Sequence, residues 1–354
     1  MEPIKVGLVG VTGYAGMELL RLLHGHPGFE LATVTSRQMA GQKLQRIFPQ
    51  FTNSTIGQTF APLEISDPEP KSLARDCSLV FLAVPQGKAL EMTPGLLDQG
   101  LQVVDFSADF RLRSAPVYTQ WYGLEHSRED LLEQAVYGLP EIYSSRIKQA
   151  RLLANPGCYP TSVLLGLKPA LEQGLIHPEG IIVDSKSGAS GAGRSPKQDT
   201  LFCEVHDDFR AYGLTRHRHT PEMEQELGLL AGQEIQISFN PHLLPVQRGI
   251  LSSIYCSPQP GLDEEGLRQA YQEAYSQEPW VRILPRDVLP RLSWVRGSMY
   301  CDISLVWDRR LNRLIILSAI DNLCRGASGQ ALANANLMNG YSPELGLELP
   351  PLTP

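Results

Sequence analysis

Hydrophobic positions come in short runs early in the chain and in longer, alternating runs later. Ile4 to Val9 is a compact apolar run that predicts a strand. A glycine turn, Gly10 to Gly16, follows it, and Met17 to Leu23 repeats apolar residues at helical spacing. Phe29 to Thr35 alternates and is rich in β-branched residues, which predicts a second strand. Leu79 to Val84 (LVFLAV) is a third run, closed by Pro85 and Gly87, and Gln102 to Phe106 is a fourth. LVFLAV has no polar face, so it suits a strand buried on both sides. Strands that alternate with helices predict a parallel sheet with right-handed crossovers.

Beyond residue 155 the pattern changes. Ser162 to Gly174 reads as a helix that Pro169 should kink. Gly180 to Ser185, Glu234 to Phe239, Gly249 to Cys256, Met299 to Asp308 and Arg313 to Ile320 then alternate, as in a larger, mainly antiparallel sheet. Ala327 to Met338 is helical and rich in small residues, ending at Asn339-Gly340. The expected class is α/β. A Rossmann-type parallel-sheet domain over 1–155 precedes an α+β catalytic and oligomerisation domain over 156–321. A C-terminal helix within about 322–354 returns to the first domain.

Composition narrows the function. The 354 residues are 42% hydrophobic and 19% charged, with a net charge of −7. An acidic balance argues against nucleic acid as a partner, because phosphate backbones need a basic surface. No apolar run reaches membrane-spanning length, and the N-terminus has no signal-peptide pattern. Cysteines 77, 158, 203, 256, 301 and 324 stand singly, without disulfide-framework or C-x-x-C spacing, so a reducing cytoplasm is expected.

The chemistry gathers in a few runs. Gly10-Val11-Thr12-Gly13-Tyr14-Ala15-Gly16 lies between a strand and a helix, where glycines let the backbone approach a pyrophosphate on the helix N-terminus. Gly10, Thr12, Gly13, Tyr14, Ala15, Gly16 and Pro85 are therefore candidate cofactor residues. The second strand ends Thr35-Ser36-Arg37, without the carboxylate that accepts from a ribose 2′-OH. Ser36 and Arg37 suit a 2′-phosphate, so the cofactor reads as NADP(H).

Asn155-Pro156-Gly157-Cys158-Tyr159-Pro160-Thr161 puts a thiol where a loop becomes a helix, and the positive end of a helix dipole favours a thiolate. Arg216-His217-Arg218-His219-Thr220-Pro221-Glu222 supplies acid–base groups. If it is extended, His217 and His219 share a face, and Pro221 opens a helix with Glu222 in its first turn. No fourth-ligand spacing accompanies the pair, so no metal is expected. The loop Lys186 to Arg194 follows a strand and holds three glycines, which makes Ser187 and Gly188 candidate cofactor residues and Ser190 and Arg194 candidate substrate residues. Ser107, Arg111 and Arg113 follow the fourth strand, where an anionic substrate would sit. An Asp109–arginine ion pair is the structural alternative there.

Together these runs, with Asp321-Asn322-Leu-Cys-Arg-Gly-Ala-Ser-Gly-Gln330, resemble the N-acetyl-gamma-glutamyl-phosphate reductase family over nearly the whole chain. That family is similar in architecture to aspartate-semialdehyde dehydrogenase. Ala15 stands where the family often has threonine, and Cys324-Arg325 vary the last motif. The resemblance implies Cys158 as nucleophile, His217, His219 and Glu222 in the active site, Asn322 near the nicotinamide, and Asn155 near the substrate. It also implies a homo-oligomer, a dimer or tetramer. The reaction implied is NADPH-dependent reduction of an acyl phosphate through a Cys158 thioester, with release of inorganic phosphate, in arginine biosynthesis. Other readings are a reductase of aspartyl phosphate or N-acetylaminoadipyl phosphate, or a non-catalytic dinucleotide-binding regulator.

Overall fold

Contacts divide the chain into one unit of Met1–Pro156 with Ala327–Leu349 and another of Gly157–Gly326 with Pro350–Pro354. The computed structural model describes residues 2–51, 60 and 62–352. The first unit begins β1 (Ile4–Val9), α1 (Tyr14–Leu23), β2 (Phe29–Thr35), α2 (Leu44–Ile47), β3 (Ile65–Ser66), α3 (Pro70–Asp76) and β4 (Leu79–Leu82). It continues α4 (Lys88–Asp98), β5 (Gln102–Asp105), α5 (Ala115–Tyr122), α6 (Glu129–Gln134), β6 (Val136–Tyr137), α7 (Pro140–Ile147) and β7 (Leu152–Ala154).

Its strands lie in the order β3-β2-β1-β4-β5-β7-β6, and every pairing between these strands is parallel. The strand order reverses between β1 and β4, so a crevice opens beyond their carboxyl ends, where the glycine turn lies. All four residues of β4 are buried, which explains their unbroken apolar run. Val103, Leu82, Ala154, Phe110 and Tyr118 belong to the core on one side.

The second unit is built from α8 (Cys158–Glu172), β8 (Ile181–Gly188), α9 (Phe202–Val205), β9 (Arg210–Ala211), α10 (Thr220–Ala231) and β10 (Ile237–Leu244). Then follow β11 (Ile250–Cys256), α11 (Glu264–Ala274), β12 (Val281–Ile283), β13 (Cys301–Asp308) and β14 (Arg313–Ile320). Its sheet runs β12-β13-β14-β11-β8-β10-β9. The β11–β14, β11–β8, β13–β14 and β10–β9 pairs are antiparallel, whereas β10–β8 and β12–β13 are parallel. The sheet is thus mixed and mostly antiparallel.

Helix α8 differs from the expectation at both ends. It starts at Cys158 rather than Ser162, and it runs unbroken through Pro169 to Glu172. A proline removes one N–H and orphans the carbonyl four residues back. Here that carbonyl, of Leu165, accepts from the Tyr275 hydroxyl at 2.5 Å, and the neighbouring Gly166 carbonyl accepts from Tyr271 at 2.6 Å. Side chains from α11 and its end therefore complete the helix that Pro169 would otherwise leave unsatisfied.

The C-terminal helix α12 (Gly329–Met338) is shorter than the segment 322–354 expected to carry it, and one turn of π-helix, Cys324–Ser328, precedes it. Within the first unit α12 packs on α7 and α1. Gln330 and Asn334 both donate to the Gly138 carbonyl at 2.7 Å. A Cβ on Gly138 would stand 2.5 Å from Asn334 Nδ2, so glycine is required there.

Candidate active site

The first unit presents the glycine turn. Gly10 has φ +87°, and a Cβ on it would fall 2.2 Å from the Ala83 carbonyl oxygen, so only glycine fits. A Cβ on Gly16 would fall 2.5 Å from the Gly10 oxygen, so the start of α1 comes down tightly onto the turn. The Gly10 and Val11 amides donate to Thr35 O at 3.0 and 3.3 Å, which joins the turn to the end of β2. Thr12 and Ser36 hydroxyl oxygens are 3.5 Å apart, and Arg37 is exposed just beyond. The unit thus offers a backbone cradle, two hydroxyls and a cation, without a carboxylate at the strand end. That donor set fits a dinucleotide bearing a 2′-phosphate.

Lys88 at this mouth was not foreseen, and Asp109 has a different task there. Lys88, at the start of α4, pairs with Glu91 at 2.6 Å. The Glu91 carboxyl sits below its ordinary range, first through the Lys88 hydrogen bond and, more weakly, through the charges of Lys88 and Arg37. Asp109 caps α4. Its carboxylate accepts from Gly87 N at 2.8 Å, from Leu90 N at 3.2 Å and from the Tyr118 hydroxyl at 2.7 Å. Asp109, weighed from the sequence as an arginine partner, thus serves as a helix cap.

The residues expected to meet substrate in the first unit are tied into its frame. Ser107 donates through N and Oγ to Asp105 at 2.9 and 2.7 Å. Arg111 is buried, donating Nε to Asn155 O and Nη2 to Phe106 O, both at 2.7 Å. Asn155 donates to Ala327 O at 3.0 Å and accepts from Asn334 at 3.2 Å. Arg113 is exposed. Burial, then the charge of Asp109, pushes the Asp105 carboxyl up to about 7.

In the second unit, Cys158 is the first residue of α8 and Gly157 is its N-cap. Thr161 N–H and Oγ1 both donate to Gly157 O, at 3.0 and 2.9 Å, and close the first turn. Pro160 sits in that turn, where a missing N–H costs nothing. The Gly157 amide donates to Glu222 Oε1 at 2.8 Å, and Glu222 is buried in the first turn of α10. A Cβ on Gly157 would lie 2.6 Å from His219 Nε2, so the His219 ring rests directly on the residue before the thiol. On another side, a Cβ on Gly326 would lie 2.7 Å from the Cys158 Cβ. Cys158 is half-buried, whereas Cys77, Cys256, Cys301 and Cys324 are buried. Burial pushes the Cys256 thiol up to about 12, as suits a core thiol.

The two histidines come together by a turn, not by an extended strand: 213–216 and 218–219 are turns and bends. Thr220 opens α10, so Pro221 is its second residue rather than its first. The rings of His217 and His219 are 5.0 Å apart, but their surroundings differ. Around His217 stand Tyr159 at 5.4 Å, Phe239 at 5.1 Å and Tyr212 at 5.6 Å. Its Nδ1 accepts the His219 N–H at 3.1 Å. Burial, then the charges of His219 and Arg218, pushes the His217 imidazole down to about 3. His217 is therefore a neutral wall of the site.

Tyr159 and Tyr212 were missed by the sequence reading. Their hydroxyls are 2.9 Å apart, and burial holds both phenols above their ordinary range. Their only sequence signal was adjacency to Cys158 and to the histidine run.

The second glycine loop and Asn322 join in the same unit. Asn322 Nδ2 donates to Ser190 Oγ at 2.9 Å, and its Oδ1 accepts the Gly249 N–H at 2.7 Å. A Cβ on Gly188 would strike the 247–248 backbone at 2.8 Å, and Ser187 Oγ lies 3.3 Å from a Cβ built on Gly191. Arg194 is exposed. Buried Asp321 accepts from Leu323 N, Cys324 N, Gly297 N and Arg248 at 2.6–2.8 Å, which fixes the turn that carries Gly326.

Family models match on both halves: the semialdehyde dehydrogenase NAD binding domain over residues 5–150 and the semialdehyde dehydrogenase dimerisation domain over 158–322. N-acetyl-gamma-glutamyl-phosphate reductase of Desulfotalea psychrophila is 50% identical over 352 residues, 99% of this chain and 100% of that one. The chain belongs to the N-acetyl-gamma-glutamyl-phosphate reductase family. The same-named protein of Geotalea daltonii is 50% identical over 98% of both chains, and that of Moorella thermoacetica is 44% identical over 99% of this chain and 100% of its own. The fold is that of aspartate semialdehyde dehydrogenases. The Candida albicans enzyme, solved with NADP, matches with a TM-score of 0.72 at 18% identity, over 96% of this chain and 99% of that one. A Vibrio cholerae enzyme matches with the same TM-score at 15% identity and the same coverage.

Proposed function

We propose that this chain reduces N-acetylglutamyl 5-phosphate to N-acetylglutamate 5-semialdehyde with NADPH, a step of arginine biosynthesis, through a thioester on Cys158. The observation that carries the mechanism is the start of α8, where a half-buried thiol has His219 against the preceding residue. The dipole of a fifteen-residue helix favours a thiolate at its first position. His219 accepts the thiol proton, and neutral, boxed His217 holds it in place through the bond to the His219 amide. Glu222 holds the Gly157 turn.

The Cys158 sulfur attacks the acyl carbon. The bond from that carbon to the phosphate oxygen breaks, and inorganic phosphate leaves. The Gly10–Gly16 turn with Ser36 and Arg37 would hold NADP(H), which in its reduced form would supply a hydride. The thioester carbonyl carbon takes the hydride, the oxyanion collapses, and the carbon–sulfur bond breaks to give aldehyde and thiolate. Amide N–H groups at the helix start suit the oxyanion. Arg113 and Arg194, both exposed, are the candidate anion holders. Ser107, Arg111 and Asn155 support their own unit's frame and act on substrate only indirectly.

The dimerisation-domain match supports a homo-oligomer, a dimer or tetramer. No described helix is long and apolar enough to cross a membrane, and a biosynthetic role supports the cytoplasm as its place.

The test is phosphate-dependent reduction of NADP by N-acetylglutamate semialdehyde, with aspartate semialdehyde as control, in wild type, Cys158→Ala and His219→Asn. Cys158→Ala should show no turnover yet bind NADP as wild type does, and His219→Asn should lose most of kcat. Turnover by Cys158→Ala would sink the thioester.

A further inference from the structure

Beneath α8 the sheet of the second unit changes character row by row. Ser187, Ile250 and Ile320 are paired across β8, β11 and β14, and so are Val183, Ile254 and Ile316 four residues further along. Between these rows lies a third, Ser185, Ser252 and Ser318, directly opposed on the same three strands. All three serines are fully buried, as is Ser162, which comes down from α8 onto them. Ser162 Oγ lies 3.0 Å from Ser252 Oγ and 3.1 Å from Ser318 Oγ, and Ser185 Oγ lies 2.8 Å from Ser252 Oγ. Four hydroxyls thus bond one another, with Cys301 Sγ 3.5 Å from Ser318 Oγ, between a wholly apolar row and a row of Ser187, Ile250 and Ile320.

Ser162 is one helical turn beyond Cys158, and Gly166 is one turn beyond Ser162, so the three share a stripe of α8. Each meets a different floor. Cys158 abuts Gly326, and a Cβ on Gly166 would lie 2.9 Å from Ile254 Cδ1. Apolar contacts have no direction, so they resist a small slide of α8 only weakly. Hydroxyl contacts are directional, and a buried hydroxyl pulled from its partners costs more than the bond is worth when made. The serine seat therefore adds a directional anchor near the start of α8 to the tyrosine hydroxyls on Leu165 and Gly166 further along it, as a buried polar residue fixes register elsewhere.

We propose that Ser162, seated on the Ser185–Ser252–Ser318 row, is a positioning residue that fixes where α8 presents the Cys158 sulfur. The inference rests on Cys158 being the nucleophile. A misplacement of about 1 Å costs on the order of 100-fold in rate, and a seat loosened by less should cost about tenfold in kcat.

The experiment compares Ser162→Ala with a variant in which Ser162, Ser185, Ser252 and Ser318 are all alanine. Tm, kcat, KM for NADPH and the rate of Cys158 alkylation by iodoacetamide are read for each. Ser162→Ala should lower Tm, because Ser318 loses a hydroxyl partner, and should lower kcat about tenfold with KM for NADPH unchanged. The all-alanine variant should recover Tm, since removing every partner is nearly neutral, while kcat stays low. Recovery of kcat together with Tm would make the row a packing feature and overturn the proposal. So would wild-type kcat in folded Ser162→Ala, which decides the matter alone if the all-alanine protein does not fold. Turnover by Cys158→Ala would instead bring down the thioester reading itself, so the two failures are distinct.

Discussion

Helices α1 and α8 begin alike. Gly13 precedes α1 at φ −74°, ψ 163°, and Gly157 precedes α8 at φ −67°, ψ 155°, and neither helix has a side-chain cap. Two other helices, unlike most, do have a side-chain cap: Ser114 accepts from Val117 N ahead of α5, and Asp263 accepts from Gly266 N ahead of α11. A glycine cap leaves the positive end of a helix for some other anion. At α1 the surrounding glycines shape a backbone cradle suited to a phosphate arriving from outside. At α8 the first residue is Cys158, the proposed nucleophile, and Gly157 has its amide on Glu222 and its missing Cβ replaced by the His219 ring. In the proposed function the same local device would serve a ligand in one unit and a nucleophile in the other.

Gly157→Ala is the sharpest way to break this parallel. The φ of −67° at Gly157 suits alanine, so the backbone is not strained. The added methyl instead meets three atoms of the His219 ring at 2.6–2.9 Å and must drive the ring away. We expect kcat to fall about 100-fold while NADPH affinity holds. Wild-type kcat in Gly157→Ala would show that His219 need not sit where it does.

Arg37→Ala probes the other start. An exposed arginine after β2 contributes little to folding, so Tm should stay within about 0.5 kcal/mol of wild-type stability. Charge-assisted bonds to a phosphate are worth about 1.5–3 kcal/mol, so KM for NADPH should rise roughly ten- to 100-fold while KM for NADH barely moves. A preference for NADPH that survives the change would take Arg37 out of the site and leave Ser36 and Lys88 to account for it.

Much of this contrast was legible in the order of residues. The apolar runs at Ile4–Val9 and Leu79–Leu82 became central strands, and the glycine turn fell where strand order reverses. Strands of two or three residues, such as Ile65–Ser66 and Leu152–Ala154, are too short to show a period and passed unread. Arg111 follows a strand and Asn155 lies in the Cys158 run, which points both at substrate. In the fold they also bond backbone carbonyls, and Asn155 bonds Asn334, which adjacency in sequence does not reveal. The serine row was invisible for a similar reason. Ser185, Ser252 and Ser318 lie far apart along the chain, and each reads as an interruption of an apolar strand until the register pairs them. Cys158 could be placed at a helix start, but the residues that pack against that start come from Glu222 and Gly326, far along the chain.

The smallest expected effect comes from the ordinary caps, and it defines what a glycine start gives up. Asp263→Ala removes the acceptor that Gly266 N uses at 2.7 Å, at an exposed helix start. A lost cap costs about 1 kcal/mol. Thermal unfolding should show that loss, with kcat and both KM values unchanged, because nothing at α11 awaits an anion. The converse change, Gly13→Ser, would give α1 a side-chain cap of the Asp263 kind. If the cradle reading is right, any gain in Tm is accompanied by weaker NADPH binding, since the new hydroxyl competes for the same amides. A Gly13→Ser protein that is more stable and binds NADPH as well as before would mean that the amides at α1 are not reserved for the cofactor, and the likeness between the two helix starts would then be one of backbone shape alone.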